Sequence, residues 1–336
     1  MLKVGIIGSG FGLYGLLPAF SDINDCHVVS ICGKKTDRLL KYCKSINLDN
    51  VYTDWKDMLK NEDLDALAIA VRPRTQYEIA RVAIKKKINI FAEKPLALNQ
   101  EQTKELLDLA EKNGIVHAVD FIFPEIKAWQ EVKKMLDQDT YGKLKHVSVN
   151  WDFLSYDIKN GISSWKTDIN EGGGALSFYF SHSLYYLEYY AGEILDVKSS
   201  FSYSDGSANG GESGLDIIIK FKNGVDGSAH INASNAGLNR HQLIFECEKG
   251  KIILENKNSV TENFTINIYT KEESKRILVE DKKVKIDNEE DERVDTVRKI
   301  ATRFVVGCNN KEQILPSFVE GHKVQVLIDK IRKDKA

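Results

Sequence analysis

The sequence predicts an α/β protein: an N-terminal doubly wound parallel sheet, then a second part that combines helices with a mostly antiparallel sheet. Three observations predict it. Up to Phe121, short apolar runs alternate with helical patterns, as parallel strands joined by crossover helices require. A glycine turn, Gly8-Ser9-Gly10-Phe11-Gly12, follows directly on the first apolar run. Beyond Phe121 the rhythm changes to β-like runs separated by turn signals such as Lys222-Asn223-Gly224, the mark of antiparallel pairing.

In the first part, strands are expected at residues 4–7, 27–32, 66–71, 88–91 and 116–119. Helices are expected between them at 38–46, 55–61, 76–86 and 100–113. The last carries Leu106, Leu107, Leu109 and Ala110 on one side and stops at Gly114. In the second part a helix near 124–136 leads to a strand at 144–151, a glycine-rich helical segment, and strands at 215–221, 227–233, 242–247 and 251–254. An antiparallel sheet of this kind buries one face on helices and leaves the other for a partner, so a homodimer or homotetramer is expected. Near the end, Glu289-Glu290-Asp291-Glu292 precedes Val294, Val297, Ile300, Ala301 and Phe304, and the acidic run is expected to cap that helix. The expected domains are residues 1–121 and 122–336, with the C-terminal helix free to pack back on the first.

Composition narrows the function. A chain of 336 residues exceeds one ordinary hydrophobic core. With 47 basic against 49 acidic residues and no basic block, neither a nucleic-acid groove nor an anionic membrane is indicated, so the expected partner is a small molecule. No apolar run approaches the roughly 20 residues that span a bilayer. Cys26, Cys32, Cys43, Cys247 and Cys308 are odd in number and without C-x-x-C spacing, and Met1-Leu2-Lys3-Val4-Gly5 runs straight into a strand. Both point to a reduced, cytoplasmic protein. The histidines show no metal-ligand spacing, and no metal is expected.

Chemistry concentrates at strand ends. Glycines at 8, 10 and 12 let backbone N–H groups and a helix N-terminus approach a pyrophosphate, although the third glycine falls one place short of G-x-G-x-x-G. After the second strand, where an acid commonly holds the ribose diol of NAD, stand Gly33, Lys34 and Lys35. Gly33 is read as room for a 2′-phosphate and the lysines as its counter-charge, with Asp37 in the first turn of the next helix, so NADP(H) is favoured and NAD(H) allowed. The third strand ends in Arg72-Pro73; the proline is expected to fix a loop walling the crevice and Arg72 to meet a phosphate or an anionic substrate. Glu93-Lys94-Pro95 follows the fourth strand, where a lysine points into the ligand crevice of an open sheet. Phe121, beyond the fifth strand, is expected at the cleft.

Gly8-Ser9-Gly10-Phe11-Gly12, Val71-Arg72-Pro73, Glu93-Lys94-Pro95-Leu96-Ala97 and Gly172-Gly173-Gly174-Ala175-Leu176 before His182 together resemble the Gfo/Idh/MocA oxidoreductase family. The ending Pro316-Ser317-Phe318-Val319-Glu320-Gly321 is also similar to that family's last segment. The resemblance implies an N-terminal Rossmann domain, a C-terminal α/β domain whose large open sheet is used for oligomerisation, and NAD(P)-dependent hydride transfer on sugars, cyclitols or nucleotide-linked sugars. It assigns Lys94 to the reacting oxygen beside the nicotinamide and His182 to proton exchange. Many members carry an aspartate four residues before that histidine; here the position is Phe178, which cannot accept a hydrogen bond. Asp168 and Glu171 are the nearby carboxylates, and Trp165, Lys166 and Asp168 are further candidates for gripping substrate. Two alternatives stay open: a cofactor-binding regulator without turnover, and a reductase of an imine or enone.

Overall fold

A computed structural model of the chain describes residues 1–204, 210–257, 259–281 and 291–334. The chain folds into two compact units, Met1–Ile122 with Lys283–Gln325, and Phe123–Lys282 with Val326–Ala336.

The first unit is built on six parallel strands: β1 (Leu2–Ile7), β2 (Cys26–Cys32), β3 (Val51–Tyr52), β4 (Ala66–Ile69), β5 (Asn89–Ala92) and β6 (His117–Val119). Their order is β3-β2-β1-β4-β5-β6, so chain direction across the sheet reverses at β1. Strands buried on both faces need unbroken apolar runs, and Val4, Ile6, Leu67, Ala68, Ile69 and Phe91 are all fully buried. The helices start where the sequence offers caps: Thr36 Oγ1 accepts from Leu39 N–H at 3.2 Å, and Asn99 Oδ1 from Gln102 N–H at 2.9 Å. Gly114, at φ 63°, ends helix Gln100–Asn113 in the left-handed conformation.

Residues 291–325, expected with the second domain, fall in the first unit instead. The reason is apolar packing. Helix Val294–Asn310 sets Phe304 edge-on to Phe20 and Phe91, with ring centroids 6.4 and 5.7 Å away. Of the acidic run before it, Glu289 and Glu290 lie outside the described residues. Asp291 accepts from Arg293 Nε at 2.8 Å and Nη2 at 2.7 Å, and the helix opens with Asp295 in its first turn.

The second unit carries an eight-stranded sheet: β7 (Leu144–Asp152), β8 (Ile194–Ser202), β9 (Gly214–Phe221), β10 (Asp226–Asn232), β11 (Arg240–Cys247), β12 (Gly250–Asn256), β13 (Thr265–Thr270) and β14 (Ser274–Leu278). The order is β14-β13-β12-β11-β7-β10-β9-β8, with all pairs antiparallel except β7 and β10. Alternation in β9 shows the two faces: Leu215, Ile217, Ile219 and Phe221 are buried, whereas Asp216, Ile218 and Lys220 are exposed. Helices Lys127–Asp137 and Ser181–Ala191 lie against this sheet. Trp129, Tyr186 and His241 meet there, and His241 stacks on Trp151 at 4.3 Å.

Two buried histidines couple the fold to pH. His117 Nδ1 accepts from Phe318 N–H at 3.0 Å, and burial holds its pKa down at about 4. His241, within hydrogen-bond distance of Tyr186 Oη at 3.0 Å, is pushed to about 3 by burial. Both folded values lie below the ordinary 6.5, so below that value the unfolded chain binds more protons. The contribution is complete above about pH 6.5 and is lost as pH falls toward these folded values. The melting temperature should therefore drop between about pH 6.5 and about pH 4.5, and His117→Asn, whose amide oxygen accepts from Phe318 without titrating, should reduce that slope. An unchanged slope in this variant would show that His117 does not carry it.

Candidate active site

The glycine turn is pressed between two strand ends. Gly8 has φ +135°, and a Cβ there would lie 2.3 Å from the carbonyl oxygen of Ala70, just past β4. A Cβ on Gly33, just past β2, would lie 2.8 Å from that of Ser9. The approach of Ser9 thus accounts for a glycine at position 33. Gly8 N–H donates to Cys32 O at 2.8 Å, but no backbone acceptor among the described residues takes the N–H groups of Ser9, Gly10 and Phe11. These donors stand at the head of a turn of π-helix, Gly12–Leu16, which continues into helix Leu17–Ser21. The nearest neighbour of a Cβ on Gly10 would be Tyr14 Oη at 3.8 Å, so the backbone is open to approach. N–H groups without a backbone acceptor at a positive helix end fit the pyrophosphate of a dinucleotide.

Lys34 and Lys35 are exposed beyond Gly33, and Asp37 begins the next helix. Sequence reasoning missed a third cation at this edge. The Arg38 guanidinium lies 5.0 Å from the ring centroid of Tyr14, in the helix that leaves the glycine turn.

At the end of β5, Glu93 N–H donates to Ile69 O at 2.9 Å and Lys94 N–H to Glu93 Oε2 at 3.1 Å. The Lys94-Pro95 peptide is cis. Gln76, 1 % exposed, holds this segment: its Nε2 donates to Glu93 O at 2.6 Å, Pro95 O at 3.1 Å and Leu96 O at 3.2 Å. Arg72 is exposed. Pro73 is the first residue of helix Pro73–Lys85, not part of a loop, because its fixed φ and missing N–H suit a helix start. Asp120, beyond β6, is 1 % exposed and was not singled out by the sequence. Arg293, paired with Asp291, lies 4.3 Å from the Phe11 ring centroid and ties the segment before helix Val294–Asn310 to the glycine turn. Phe121, expected at the cleft, is 2 % exposed and withdrawn into the interior.

The remaining candidates lie in the second unit. A Cβ on Gly173 would sit 2.1 Å from Trp165 O, and one on Gly174 2.4 Å from the Glu212 carboxylate. The glycine run is thus the surface on which residues 165–166 rest, and Gly174 N–H donates to Lys166 O at 2.8 Å. Asp168 Oδ1 accepts from Asn170 N–H at 2.9 Å, and its carbonyl accepts from Gly173 at 2.9 Å. Ser164 O–H donates to Asp157, whose other oxygen lies 3.8 Å from Lys166 Nζ. Phe178 meets the Trp165 ring edge-on at 5.3 Å, and Lys166 Nζ stands 5.4 Å from its centroid. His182, 7 % exposed, meets Phe123 edge-on at 5.1 Å. Trp165, Lys166 and Phe178 form one cluster; Glu171 is half-buried nearby in sequence.

A six-stranded parallel sheet with a glycine turn at its reversal point, followed by an eight-stranded mostly antiparallel sheet, defines a class of two-domain dinucleotide-dependent oxidoreductases. Residues 2–121 match the profile of an oxidoreductase family with an NAD-binding Rossmann fold, and residues 129–253 that of the GFO/IDH/MocA C-terminal domain. The chain belongs to the Gfo/Idh/MocA family and is an NAD(P)-dependent dehydrogenase or reductase. An uncharacterized oxidoreductase of Synechocystis sp. is 27% identical over 342 residues, covering 98% of this chain and 92% of the relative. Levoglucosan dehydrogenase of Pseudarthrobacter phenanthrenivorans is 26% identical over 279 residues, 73% of this chain and 70% of the enzyme. Among solved structures, a levoglucosan dehydrogenase complex with NADH and L-sorbose superposes with a TM-score of 0.87 at 20% identity, covering 99% and 96% of the two chains. KijD10, a 3-ketoreductase from Actinomadura kijaniata in complex with NADP and TDP-benzene, gives 0.83 at 17% identity, covering 99% and 98%.

Replacing Gln76 by leucine leaves three carbonyl oxygens without their donor. The variant should lose about 1–3 kcal/mol of stability and lower kcat more than cofactor affinity, as read by thermal melting and steady-state kinetics. Wild-type kcat in a stably folded Gln76→Leu would show that this clamp does not position Lys94.

Proposed function

We propose that this protein transfers a hydride between NADP(H) and a sugar, cyclitol or nucleotide-linked sugar. The observation that carries the reading is the pairing, in one unit, of a glycine turn with three backbone donors and a lysine held at the end of β5 by the Gln76 clamp. Ser9, Gly10 and Phe11 would hold the pyrophosphate by backbone N–H groups. Lys34 and Lys35, joined by Arg38, would neutralise a 2′-phosphate. Arg72 remains a candidate for a cofactor phosphate.

The cofactor, when bound, supplies or accepts the hydride. Lys94 would hydrogen-bond the reacting oxygen, stabilising negative charge as it develops there. His182 is proposed as the group that exchanges the proton, and Phe178 gives it no carboxylate partner at the preceding fourth position. Trp165, Lys166 and Asp168 would bind substrate: an aromatic edge suits the apolar face of a sugar ring, and the charged groups suit its hydroxyls. The relative named as a levoglucosan dehydrogenase supports a polyhydroxylated substrate. The open face of the eight-stranded sheet, with Ile218 64% exposed, supports a homodimer or homotetramer.

Lys94→Ala should abolish turnover of the responsive sugar while leaving cofactor affinity within a few-fold, and NADPH should raise the melting temperature of the wild type more than NADH. Retained turnover in Lys94→Ala would remove the lysine from the chemistry. Equal melting shifts would remove the preference for NADP(H).

A further inference from the structure

The register of β5 and β6 brings two carboxyl groups together behind Lys94. Ala92 pairs with Val119, and Asp120 N–H donates to Ala92 O at 2.9 Å, so Glu93 and Asp120 are the next neighbours across the strand ends. Asp120 is 1 % exposed, and neither carboxylate oxygen has a hydrogen-bond partner within ordinary geometry. A buried aspartate in that state is not an ordinary ion-pair member. The cations nearby are Lys94 and Arg293, and the Arg293 guanidinium is already engaged by both oxygens of Asp291.

Two like charges side by side in a water-poor place cannot both persist, and the more buried group keeps the proton. Burial first, and then the charge of Glu93, push the Asp120 carboxyl well above the ordinary carboxylate range; Lys94 and Arg293 oppose this and lose. The consequence concerns the lysine. Facing two carboxylates, an ammonium would be locked in its protonated form; facing one, it can lend a proton to an oxygen and recover it.

We propose that Asp120 is a positioning residue for Lys94, held as an uncharged acid beside the Glu93 carboxylate, so that Lys94 faces one negative charge instead of two. The proposal rests on the assignment of Lys94 to the reacting oxygen. It adds a group, Asp120, that touches neither substrate nor cofactor and acts through Glu93 and Lys94. It also implies a pH-dependent reserve: as pH rises and Asp120 gives up its proton, the second negative charge strengthens the hold on the Lys94 proton.

The test reads the acid directly in the ligand-free protein. Infrared difference spectra at about pH 7, where an ordinary carboxyl is ionised, should show the carbonyl stretch of a protonated carboxyl, absent in Asp120→Asn and retained in Lys94→Ala. In Glu93→Gln the pH at which that band disappears should fall, because the like charge is gone. In kinetics, Asp120→Asn should move the alkaline limb of kcat/KM to lower pH by about one unit, an order-of-magnitude shift for loss of one nearby charge, with KM for cofactor unchanged. A wild type without the band, a band that survives Asp120→Asn, or an unmoved alkaline limb would each overturn the proposal. The wild-type band keeps the test decisive if Asp120→Asn does not fold. If Lys94→Ala retains turnover while the band persists, the oxygen-binding assignment fails and the positioning role falls with it. Loss of turnover in Lys94→Ala without a wild-type band leaves that assignment intact and overturns only the role of Asp120.

Discussion

The interaction on which the first unit depends is the contact of backbone with backbone around Gly8. The turn after β1 is squeezed between the ends of β2 and β4, and a side chain at position 8 would collide with Ala70 O at 2.3 Å. This crowding is what turns the N–H groups of Ser9, Gly10 and Phe11 away from backbone acceptors and gathers them at the head of a helix. An anion site made of main chain needs no charged side chain, which is why the turn itself carries none. The sheet order places it where strands depart in opposite directions from β1, the place where open α/β sheets form a crevice.

From that edge the remaining groups follow in register. Glu93, Lys94 and Asp120 stand beyond the ends of β5 and β6, and Gln76 spans three carbonyls to hold the first of these segments in place. Arg293 reaches the same edge from a distant part of the sequence, stacked on Phe11 and neutralised by Asp291. The segment that carries Lys94 is therefore held by a strand end and by a buried amide. In the second unit the triple glycine has an equally plain cause, since Gly173 and Gly174 touch main chain and a buried carboxylate where no Cβ fits.

Much of this was legible in the sequence where one residue type has one physical explanation. Apolar runs marked most of the strands, Gly114 the end of a helix, and Gly8, Gly10 and Gly12 the turn. Four strands escaped notice, and three of them lack a readable apolar face: Val51–Tyr52 is two residues long, Ser274–Leu278 is almost wholly exposed, and Ile194–Ser202 mixes lysine and serine into its alternation. The fourth, Thr265–Thr270, was overlooked although Ile266 and Ile268 alternate inward. Gln76, Asp120 and Arg293 escaped because their importance comes from neighbours far along the chain. Pro73 was noticed for the wrong cause, as a loop former, when a helix start explains it, and the packing of Ser9 is a reason for Gly33 that the sequence does not display. Phe178 reads the same in both views as a residue that cannot accept a proton, and the fold adds that its ring is engaged with Trp165.

The most direct measurement is a crystal structure of the protein grown with NADP(H). The account predicts the pyrophosphate on the N–H groups of Ser9, Gly10 and Phe11, the 2′-phosphate among Lys34, Lys35 and Arg38, and the nicotinamide beside Lys94. A dinucleotide bound with its pyrophosphate away from the glycine turn, or with its nicotinamide remote from Lys94, would contradict it.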